Sequence, residues 1–491
     1  MEESIEQGDQ TSEISIETVK KRTISGAAIL TARTILMQGA SFIANIFLTV
    51  FLNPTQYGVF FLVSAFINFL AYFGDIGFAA SLIQKKEKLN PLELKTVFTT
   101  QQIIVLLIII LVIIFTPFIQ NIYGFNKEAV FLLWALAFSL FLSSLKTIPS
   151  VLMERRLEFN KLIIPQIAEN ILFNITAVIL AWQGFGVTSF TIAVLVRGIS
   201  GLVLTFYIQP WMPKVAFSLS SLKSILKFGV PYQLNTLLAM VKDDGMTLFL
   251  GGILGPSGVG LLAWAQKWAF APLRFFMDQV IKVTFPAFSR LQDEKDELSN
   301  AVSKAIFFIC LLVFPSLVIL ILTAPSLVEI IPKYTKWSPA LNALFLLSIT
   351  SALAAITTPL TNVFNAIGKI SLTFKLMVMW TILTWIFVPL LAKIYGVSGA
   401  AFGFSLVGLS SVVAIVVSLR YVKIEYLKIV GKPLIASLVS ATVLLIIRQL
   451  TPVSVVQVSL MLVSAIVVYT LIIMTIEPMV LNYLKKWIKN V

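Results

Sequence analysis

Two residue types that carry much of protein chemistry are nearly absent from this 491-residue chain, which has no histidine and a single cysteine, Cys310. A disulfide within the chain is therefore impossible, and a zinc site, which normally needs several Cys or His ligands, is not expected. Any proton relay would have to use carboxylates, because imidazole is missing. Cys310 stands in an apolar run and is expected to be a buried packing residue. We predict neither a metal nor a cofactor.

Charged residues are also scarce, at 12% of the chain, whereas hydrophobic residues make up 58% and the mean hydropathy is +0.94. Soluble domains carry about 25% charged residues, so the composition excludes that class. Apolar runs of about 20 residues recur, long enough to cross about 30 Å of hydrocarbon as helices, and the alternation typical of barrel strands is missing. The predicted fold class is an all-α, polytopic membrane protein with about 14 transmembrane helices. The predicted spans are 24–51, 58–83, 96–119, 129–150, 162–182, 186–209, 224–254, 259–288, 301–324, 340–366, 370–392, 397–420, 430–448 and 454–476.

Lysine and arginine are distributed unevenly over the predicted loops, with 25 on one side and five on the other. Cytoplasmic loops keep an excess of positive charge, so both termini are predicted to be cytoplasmic. The net charge of +14 is thereby explained by topology, and no nucleic-acid partner is expected. Residues 1–19 are acidic and have no apolar periodicity, which predicts a disordered cytoplasmic tail. The first span, rather than a cleaved signal peptide, is expected to direct insertion.

Short sequence matches indicate an internal repeat, with offsets of 202, 203 and 210 positions. The matching pairs are Leu52 to Gly58 with Leu254 to Gly260, Phe73-Gly74-Asp75 with Phe276-Met277-Asp278, and Gly186-Val187-Thr188 with Gly396-Val397-Ser398. A duplicated six-helix unit keeps its membrane orientation, so the two lobes could rock about a central site. We predict an N-lobe at 20–213 with spans one to six, a C-lobe at 214–428 with spans seven to twelve, and a segment at 429–491 with two extra spans and a basic cytoplasmic tail.

Four cations stand deep within predicted spans, where each would cost about 2.5–3.5 kcal/mol against lipid and should therefore face a wet cavity. They are Arg33 in span one, Lys242 in span seven, and Lys267 and Arg274 on one helical stripe of span eight. Nearby acids are too few to neutralise them, so a ligand with phosphate or carboxylate groups is expected to complete the balance. We predict substrate contacts for all four, with Arg33 and Lys242 facing each other across a cleft between the lobes.

Four acids are predicted to act in coupling or gating, namely Asp243, Asp244, Asp75 and Asp278. Adjacent buried carboxylates raise each other's pKa, which makes Asp243 and Asp244 candidates for a sodium or proton site. Asp75 and Asp278 stand toward the cytoplasmic ends of their spans. Two interpretations remain open for this pair: each binds a local Lys or Arg to close an inner gate, or each forms a purely structural bridge.

Other polar or aromatic residues within spans have ordinary structural interpretations. Glu169 and Arg197 stand on consecutive antiparallel spans, which favours a structural ion pair. Lys146 stands near a cytoplasmic end, which favours a side chain that extends to the headgroups. Trp264 and Trp268 flank Lys267 and are expected either to anchor the helix at the interface or to stack on sugar faces.

The sequence contains no nucleotide-binding loop of the Gly-x-x-x-x-Gly-Lys-Ser/Thr type. Transport energy would therefore come from an ion gradient, the membrane potential or metabolic pull. One negative charge that moves outward across an inside-negative membrane releases about 2.3 kcal/mol per 100 mV. This field would favour the outward movement of an anionic diphosphate.

Six short segments together resemble one known family, over about residues 22–420. They are Leu52-Asn53-Pro54 to Tyr57-Gly58, Phe73-Gly74-Asp75-Ile76-Gly77, Arg155-Arg156-Leu157-Glu158-Phe159, Gly184-Phe185-Gly186-Val187, Phe285-Pro286-Ala287-Phe288-Ser289-Arg290-Leu291 and Gly396-Val397-Ser398-Gly399-Ala400-Ala401. The chain resembles the multidrug/oligosaccharidyl-lipid/polysaccharide exporter superfamily, specifically its polysaccharide-transporter branch of oligosaccharide flippases.

The resemblance implies a V-shaped pair of six-helix lobes in the bacterial cytoplasmic membrane. Their cationic cavity would take the diphosphate of an undecaprenyl-linked glycan, such as an O-antigen, capsule or exopolysaccharide repeat unit, and alternating access would turn it from the inner to the outer face. Lipid II flippases of the superfamily also carry deep cations in spans one and seven, which Arg33 and Lys242 match by position rather than by motif. The expected partners are this lipid-linked anionic glycan and the bilayer, with Na+ or H+ coupling left open and a monomer expected.

Two other functions within the superfamily remain open, a cation-coupled multidrug exporter and a lipid II-type flippase. The drug-exporter branch usually has twelve spans and acidic lobes, so the excess of deep cations favours the glycan flippase. A membrane enzyme such as a glycan polymerase or ligase would be expected to carry a large outer loop. The longest predicted outer loop, about 325–339, is too short, and no enzyme is expected.

Overall fold

The computed structural model describes residues 16–85 and 87–477. The first helix begins at Ile16, so the last four residues of the predicted acidic tail are helical, and the rest of that tail lies outside the described residues. The predicted basic tail after residue 477 lies outside them as well. Every regular element in the described ranges is helical, which confirms the all-α prediction.

Seventeen α-helices follow one another along the described chain. They are α1 Ile16–Phe51, α2 Pro54–Asp75, α3 Phe78–Gln84, α4 Pro91–Tyr123, α5 Lys127–Leu145, α6 Thr147–Arg155, α7 Phe159–Trp182, α8 Thr188–Ile208, α9 Leu219–Met240, α10 Met246–Ala269, α11 Ala271–Arg290, α12 Lys295–Ile330, α13 Leu341–Ala366, α14 Ile370–Leu409, α15 Val412–Ser418, α16 Tyr426–Leu450 and α17 Val455–Ile476. A π-helical turn, Val241–Gly245, joins α9 to α10, and a 3₁₀ turn, Thr335–Ala340, precedes α13.

Twelve helical stretches in the described residues are long and apolar enough to cross a membrane, which confirms a polytopic membrane protein. Two of the stretches contain a glycine with non-helical backbone angles, Gly255 (φ 65°, ψ 177°) and Gly396 (φ 60°, ψ −137°), where two helices meet. The breaks fall where the sequence predicted boundaries between spans seven and eight and between spans eleven and twelve. If the stretches are divided there, the count rises to the predicted 14. Gly186, which the predicted repeat matches with Gly396, shares its left-handed φ, at 56°.

Asparagine followed by proline starts two of the spanning helices, α2 and α4. Proline suits the first helical position because its fixed φ is helical and no backbone donor is lost there. At α2, the side chain of Asn53 accepts a hydrogen bond from the backbone N–H of Gln56 at 2.8 Å, and the Asn53 N–H donates to Gln56 Oε1 at 3.0 Å. This reciprocal capping box satisfies donors that the first helical turn cannot pair internally.

Replacing Asn53 with alanine is expected to lower the free energy of unfolding by about 1 kcal/mol, because the first turn of α2 loses its side-chain cap. Reversible unfolding in detergent micelles measures this difference. Asn121→Ala is the matched control, because Asn121 is exposed near the end of α4 and caps no helix. Equal stability of Asn53→Ala and the control would contradict the role given to the cap.

The chain forms two compact units, residues 1–257 and 258–491. The first contains α9, the helix of predicted span seven, which packs against α3 and α4. The boundary between the two compact units, at 257/258, thus lies one span later than the boundary at 213/214 that the repeat predicts. The repeat itself stays a prediction. A core in the first unit gathers side chains from α3, α4, α6 and α9 around Phe78, Val97, Ile148 and Ile225.

The second unit is built around α12, the helix of predicted span nine. Cys310 on this helix is fully buried among apolar side chains, which confirms its predicted packing role. The predicted extra spans, α16 and α17, pack against α12. Ser326 donates a hydrogen bond to Gln457 Oε1 at 2.9 Å, and the Tyr469 hydroxyl donates to the Leu311 carbonyl oxygen at 2.7 Å.

The first half of α9 touches the turn between α2 and α3 backbone to backbone, at Gly77 and Gly229, which we name the glycine contact. Gly77 has a φ of 77°, in the left-handed region that favours glycine. A Cβ at Gly229 would lie 2.8 Å from the carbonyl oxygen of Ile76 and 3.0 Å from that of Gly77. No side chain fits between the two backbones without a shift of one of them.

Hydrogen bonds reinforce the glycine contact on both sides. Ser81 donates to the carbonyl oxygen of Ile225 at 2.9 Å. The Tyr72 hydroxyl donates to the Gln233 carbonyl oxygen, and Gln233 Nε2 donates to the Tyr72 carbonyl oxygen at 3.3 Å. Because α2 ends and α9 begins at this end of the first unit, the positive-charge count predicts that the contact lies on the cytoplasmic side.

Candidate functional site

A cavity of about 610 Å³ lies within the first unit. It is lined by one end of the helix bundle, where α2, α5, α6 and α8 end and α7 begins, together with parts of α1, α3 and α4. Three cations and three acids line it, and they are Arg33, Lys146, Arg197, Asp75, Glu154 and Glu169. The cavity is therefore polar, and its formal charges balance when all six groups are ionised.

Arg33 reaches this cavity from α1, as expected for a deep cation that faces a wet space. Its Nη1 donates a hydrogen bond to Oε1 of Gln166 on α7. Its Nε is buried and has no hydrogen-bond partner among the described residues. The guanidinium is thus held by a neutral amide rather than neutralised by a carboxylate.

Glu169 on α7 lies between two cations. Lys146 Nζ binds its Oε1, and Arg197 Nε lies 3.9 Å from its Oε2. The predicted pairing of Glu169 with Arg197 is therefore present, but the shorter contact is with Lys146. The predicted extension of Lys146 to the headgroups is wrong, because its side chain is only 13% exposed and turns inward to the carboxylate. Gly201 provides the space, since a Cβ there would collide with the Glu169 carboxylate.

The two remaining acids of the cavity have no cationic partner in the described part of the chain. Asp75 Oδ1 accepts a hydrogen bond from the backbone N–H of Ala79 at 3.4 Å, at the start of α3. The predicted pairing of Asp75 with a Lys or Arg is therefore wrong, because a helix terminus already offers it backbone donors. Burial raises the pKa of the Glu154 carboxyl above its ordinary value, and this carboxylate forms no hydrogen bond or ion pair with described residues.

The charged triplet of span seven lies in the π-helical turn between α9 and α10. Single π-turns within α-helices occur frequently at functional sites. Lys242 Nζ lies 2.8 Å from Asp243 Oδ1, so its charge is balanced by its own neighbour. The side chain of Asp244 lies near that of Asn68 on α2. None of the three lines the cavity that contains Arg33.

The two deep cations of span eight belong to the second unit. Lys267 near the end of α10 and Arg274 in the first turn of α11 are both exposed and close enough to repel each other. Neither forms a hydrogen bond or an ion pair with residues that the structure describes. Asp278, one turn further along α11, is partly buried. Two adjacent cations without a counter-ion among the described residues favour an anionic ligand.

Trp264, one turn before Lys267, does not serve as predicted. Trp264 is 2% exposed and stacks on Trp337, with ring centroids 5.5 Å apart. Its Nε1 donates to the Tyr334 hydroxyl at 3.1 Å. Both predictions for Trp264, an interfacial anchor or a sugar platform, are wrong, because neighbouring aromatic rings bury it. Trp268 is partly buried, with its ring centroid 6.4 Å from that of Trp264.

The sequence did not single out most of the neutral polar lining of the cavity, which includes Gln101, Ser143, Thr147 and Ser150. Gln101 on α4 is 4% exposed, and its side-chain oxygen has no hydrogen-bond partner in the described ranges. Buried amide oxygens are normally paired, so an unpaired one in a cavity wall points to a missing donor. The only sequence signal was a glutamine pair, Gln101-Gln102, at the start of a long apolar run.

Repeated spanning helices, two compact units and a charged cavity within one of them define a polytopic membrane transport protein. Comparison with known proteins places it more closely. The sequence model of the Polysaccharide biosynthesis protein family matches residues 47–342, and the chain belongs to this family. Together with the relatives and the solved structure described next, this match confirms the predicted polysaccharide-transporter branch and the prediction of a transporter rather than an enzyme.

Two curated relatives and one solved structure illustrate these similarities. The lipopolysaccharide biosynthesis protein WzxC of Escherichia coli K12 is 24% identical over 394 residues, or 79% of each chain. The succinoglycan biosynthesis transport protein ExoT of Rhizobium meliloti 1021 is 22% identical over 265 residues, 54% of this chain and 53% of ExoT. The lipid II flippase MurJ in an inward closed conformation has a similar fold, with a TM-score of 0.74, 17% identity, and coverage of 91% of this chain and all of MurJ.

Proposed function

We propose that this protein is a flippase that moves an undecaprenyl-diphosphate-linked oligosaccharide from the inner to the outer face of the bacterial cytoplasmic membrane by alternating access. Membership of the Polysaccharide biosynthesis protein family and the fold shared with MurJ support this function. Both termini are proposed to be cytoplasmic, from the 25 to five distribution of loop cations. The working unit is proposed to be a monomer.

The observation that carries the proposal is the cation pair of the second unit, Lys267 and Arg274. Two exposed cations that repel each other and have no carboxylate partner among the described residues are stabilised when a ligand supplies negative charge. A diphosphate suits this pair, because guanidinium binds phosphate oxygens in a bidentate manner and ammonium acts as a point charge. A cationic drug would be repelled at the same place, which disfavours the multidrug exporter.

The other predicted residues receive roles that follow from their partners. Arg33 is proposed to contact the glycan headgroup from the cavity of the first unit, since its guanidinium is bound by the Gln166 amide and not by a carboxylate of the described residues. Lys242 is not proposed as an anion ligand, because Asp243 already balances its charge. Asp243 and Asp244 are proposed as the coupling pair for Na+ or H+, next to the irregular backbone of the π-helical turn.

The two remaining acids are proposed to act at a gate. Asp75 would act there through its bond to the start of α3, close to the glycine contact, rather than through an ion pair. Asp278 would act near the cation pair Lys267 and Arg274, since it follows Arg274 by one turn of α11.

Replacing Lys267 and Arg274 together by glutamine is expected to lower surface glycan at least tenfold, because two charged hydrogen bonds of about 1.5–3 kcal/mol each are lost. The variant replaces the chromosomal copy in the source bacterium, and surface polysaccharide and membrane protein level are both quantified. Lys393→Gln, an exposed cation elsewhere in the second unit, is the matched control. Normal surface glycan in the double variant would refute the proposed phosphate site.

A further inference from the structure

We infer that the cavity of the first unit is a site for uncharged, hydroxyl-rich sugar residues of the substrate, separate in chemistry from the phosphate pair Lys267 and Arg274. This inference rests on the proposed function and assigns the parts of one substrate to different side chains. It makes the cavity lining, rather than the phosphate pair, the determinant of which glycan is carried.

Charge balance is the first reason. The three cations and three acids that line the cavity leave no formal excess of positive charge. Glu169 already forms an ion pair with Lys146 and lies near Arg197. The Glu169 carboxylate would therefore repel a diphosphate that approached these two cations. Glu154 would repel it further, since no cation among the described residues neutralises this side chain. Lys267 and Arg274 form no ion pair with a described carboxylate, although Asp278 lies one turn away on α11.

The unpaired groups in the wall are the second reason. Gln101 offers a buried oxygen that no described residue donates to, and Arg33 offers a buried Nε that no described residue accepts from. An ionised diphosphate only accepts hydrogen bonds, so it could not satisfy Gln101. A sugar hydroxyl can donate to the amide oxygen and accept from a guanidinium at once. A hydroxyl-rich ligand could therefore supply the hydrogen-bond donor for Gln101 and the acceptor for Arg33.

The size and the neutral lining of the cavity agree with this chemistry. About 610 Å³ lies within the range of about 300–1,000 Å³ that small-molecule sites occupy. Ser143, Thr147, Ser150 and Asn170 add hydroxyl and amide groups to the wall. Phe173 contributes an aromatic face, with the Arg197 guanidinium 6.0 Å from its ring centroid.

The inference is tested by the binding of two kinds of probe to the purified full-length protein in nanodiscs. One probe is bare polyprenyl diphosphate. The others are polyprenyl diphosphates that carry glucose, galactose or N-acetylglucosamine, and the sugar that the wild type binds most tightly is used. Gln101→Leu is expected to weaken binding of the glycosylated probe about 3- to 10-fold, as expected for one lost hydrogen bond. Binding of the bare diphosphate is expected to stay within about twofold of the wild type, because no phosphate contact is lost.

Matched variants separate the possible outcomes. Gln120→Leu makes the same substitution on the exposed side of the same helix and is expected to change neither affinity. Ser150→Ala removes a second lining hydroxyl with little risk to folding and is expected to act in the same direction as Gln101→Leu. The double variant of Lys267 and Arg274 is expected to weaken both probes.

Two results would overturn the inference while leaving the flippase proposal intact. In the first, neither Gln101→Leu nor Ser150→Ala changes the affinity for the glycosylated probe. In the second, Ser150→Ala weakens the binding of both probes equally. Failure of the proposed function itself has a different signature. In that case the wild type binds neither probe.

Discussion

Replacing Gly229 with alanine is expected to open the glycine contact and to reduce glycan export at least tenfold. The added Cβ would lie 2.8 Å and 3.0 Å from two backbone carbonyl oxygens, which cannot rotate away as a flexible side chain could. The first half of α9 must therefore separate from the turn between α2 and α3. A transporter that works by alternating access must close each end in turn, so one that cannot close this end should not complete its cycle.

Cysteine labelling measures the opening directly. Cys310 is the only cysteine of the chain, so Cys310→Ser gives a cysteine-free background. A single Ser81→Cys then reports on the contact, because Ser81 is buried against α9. A soluble maleimide is expected to label this cysteine slowly in the parent and several-fold faster with Gly229→Ala.

Gly252→Ala is the matched control for the same substitution. Gly252 is helical and has no atom near its missing Cβ, so alanine should stabilise this helix by up to about 1 kcal/mol without change in labelling. Slow labelling and normal export in the Gly229 variant would show that the contact is not a gate.

Replacing Glu169 with alanine is expected to lower the free energy of unfolding by about 3–5 kcal/mol, the loss typical when one member of a buried ion pair is removed. Glu169 and Lys146 are 14% and 13% exposed, and the variant leaves the ammonium without its carboxylate. Unfolding of the purified protein in detergent provides the measurement.

A double variant distinguishes an uncompensated charge from simple loss of packing. Lys146→Met with Glu169→Ala is expected to recover much of the stability, because the buried ammonium is gone. Glu425→Ala is the control, since its pair with Lys428 is 67% and 76% exposed and should contribute at most about 1 kcal/mol. A loss of less than 1 kcal/mol in Glu169→Ala would contradict the importance given to this pair.

Much of the fold could be predicted from sequence, because membrane insertion is a local requirement. Each span needs its own apolar length and satisfies its own backbone, so hydropathy alone separates the helices. The helix breaks at Gly255 and Gly396 were also predictable, since both glycines lie in segments whose sequences match those around Asn53-Pro54 and Gly186 in the predicted repeat. These features depend on residues close in sequence.

The charged groups were predicted less well, because their partners come from distant helices. Depth in a span indicates that Arg33 needs a polar neighbour, but not that this neighbour is the amide of Gln166. Lys146 stands near a helix end, and only the packing of α5 against α8 and of α6 against α7 shows that it turns inward to Glu169. Gln101 gave almost no sequence signal, because its unpaired oxygen becomes apparent only when the cavity wall is assembled.

The π-helical turn at Val241–Gly245 has a consequence for the evolution of this helix pair. A π-turn holds one residue more than an α-turn, and each helical residue rotates the chain by about 100°. If one residue were deleted from the turn, α9 would rotate by that angle relative to α10, and Gly229 would no longer point at Gly77. Insertions and deletions should therefore be rarer in this five-residue stretch than in the rest of the helix pair, even though its side chains are partly open to solvent.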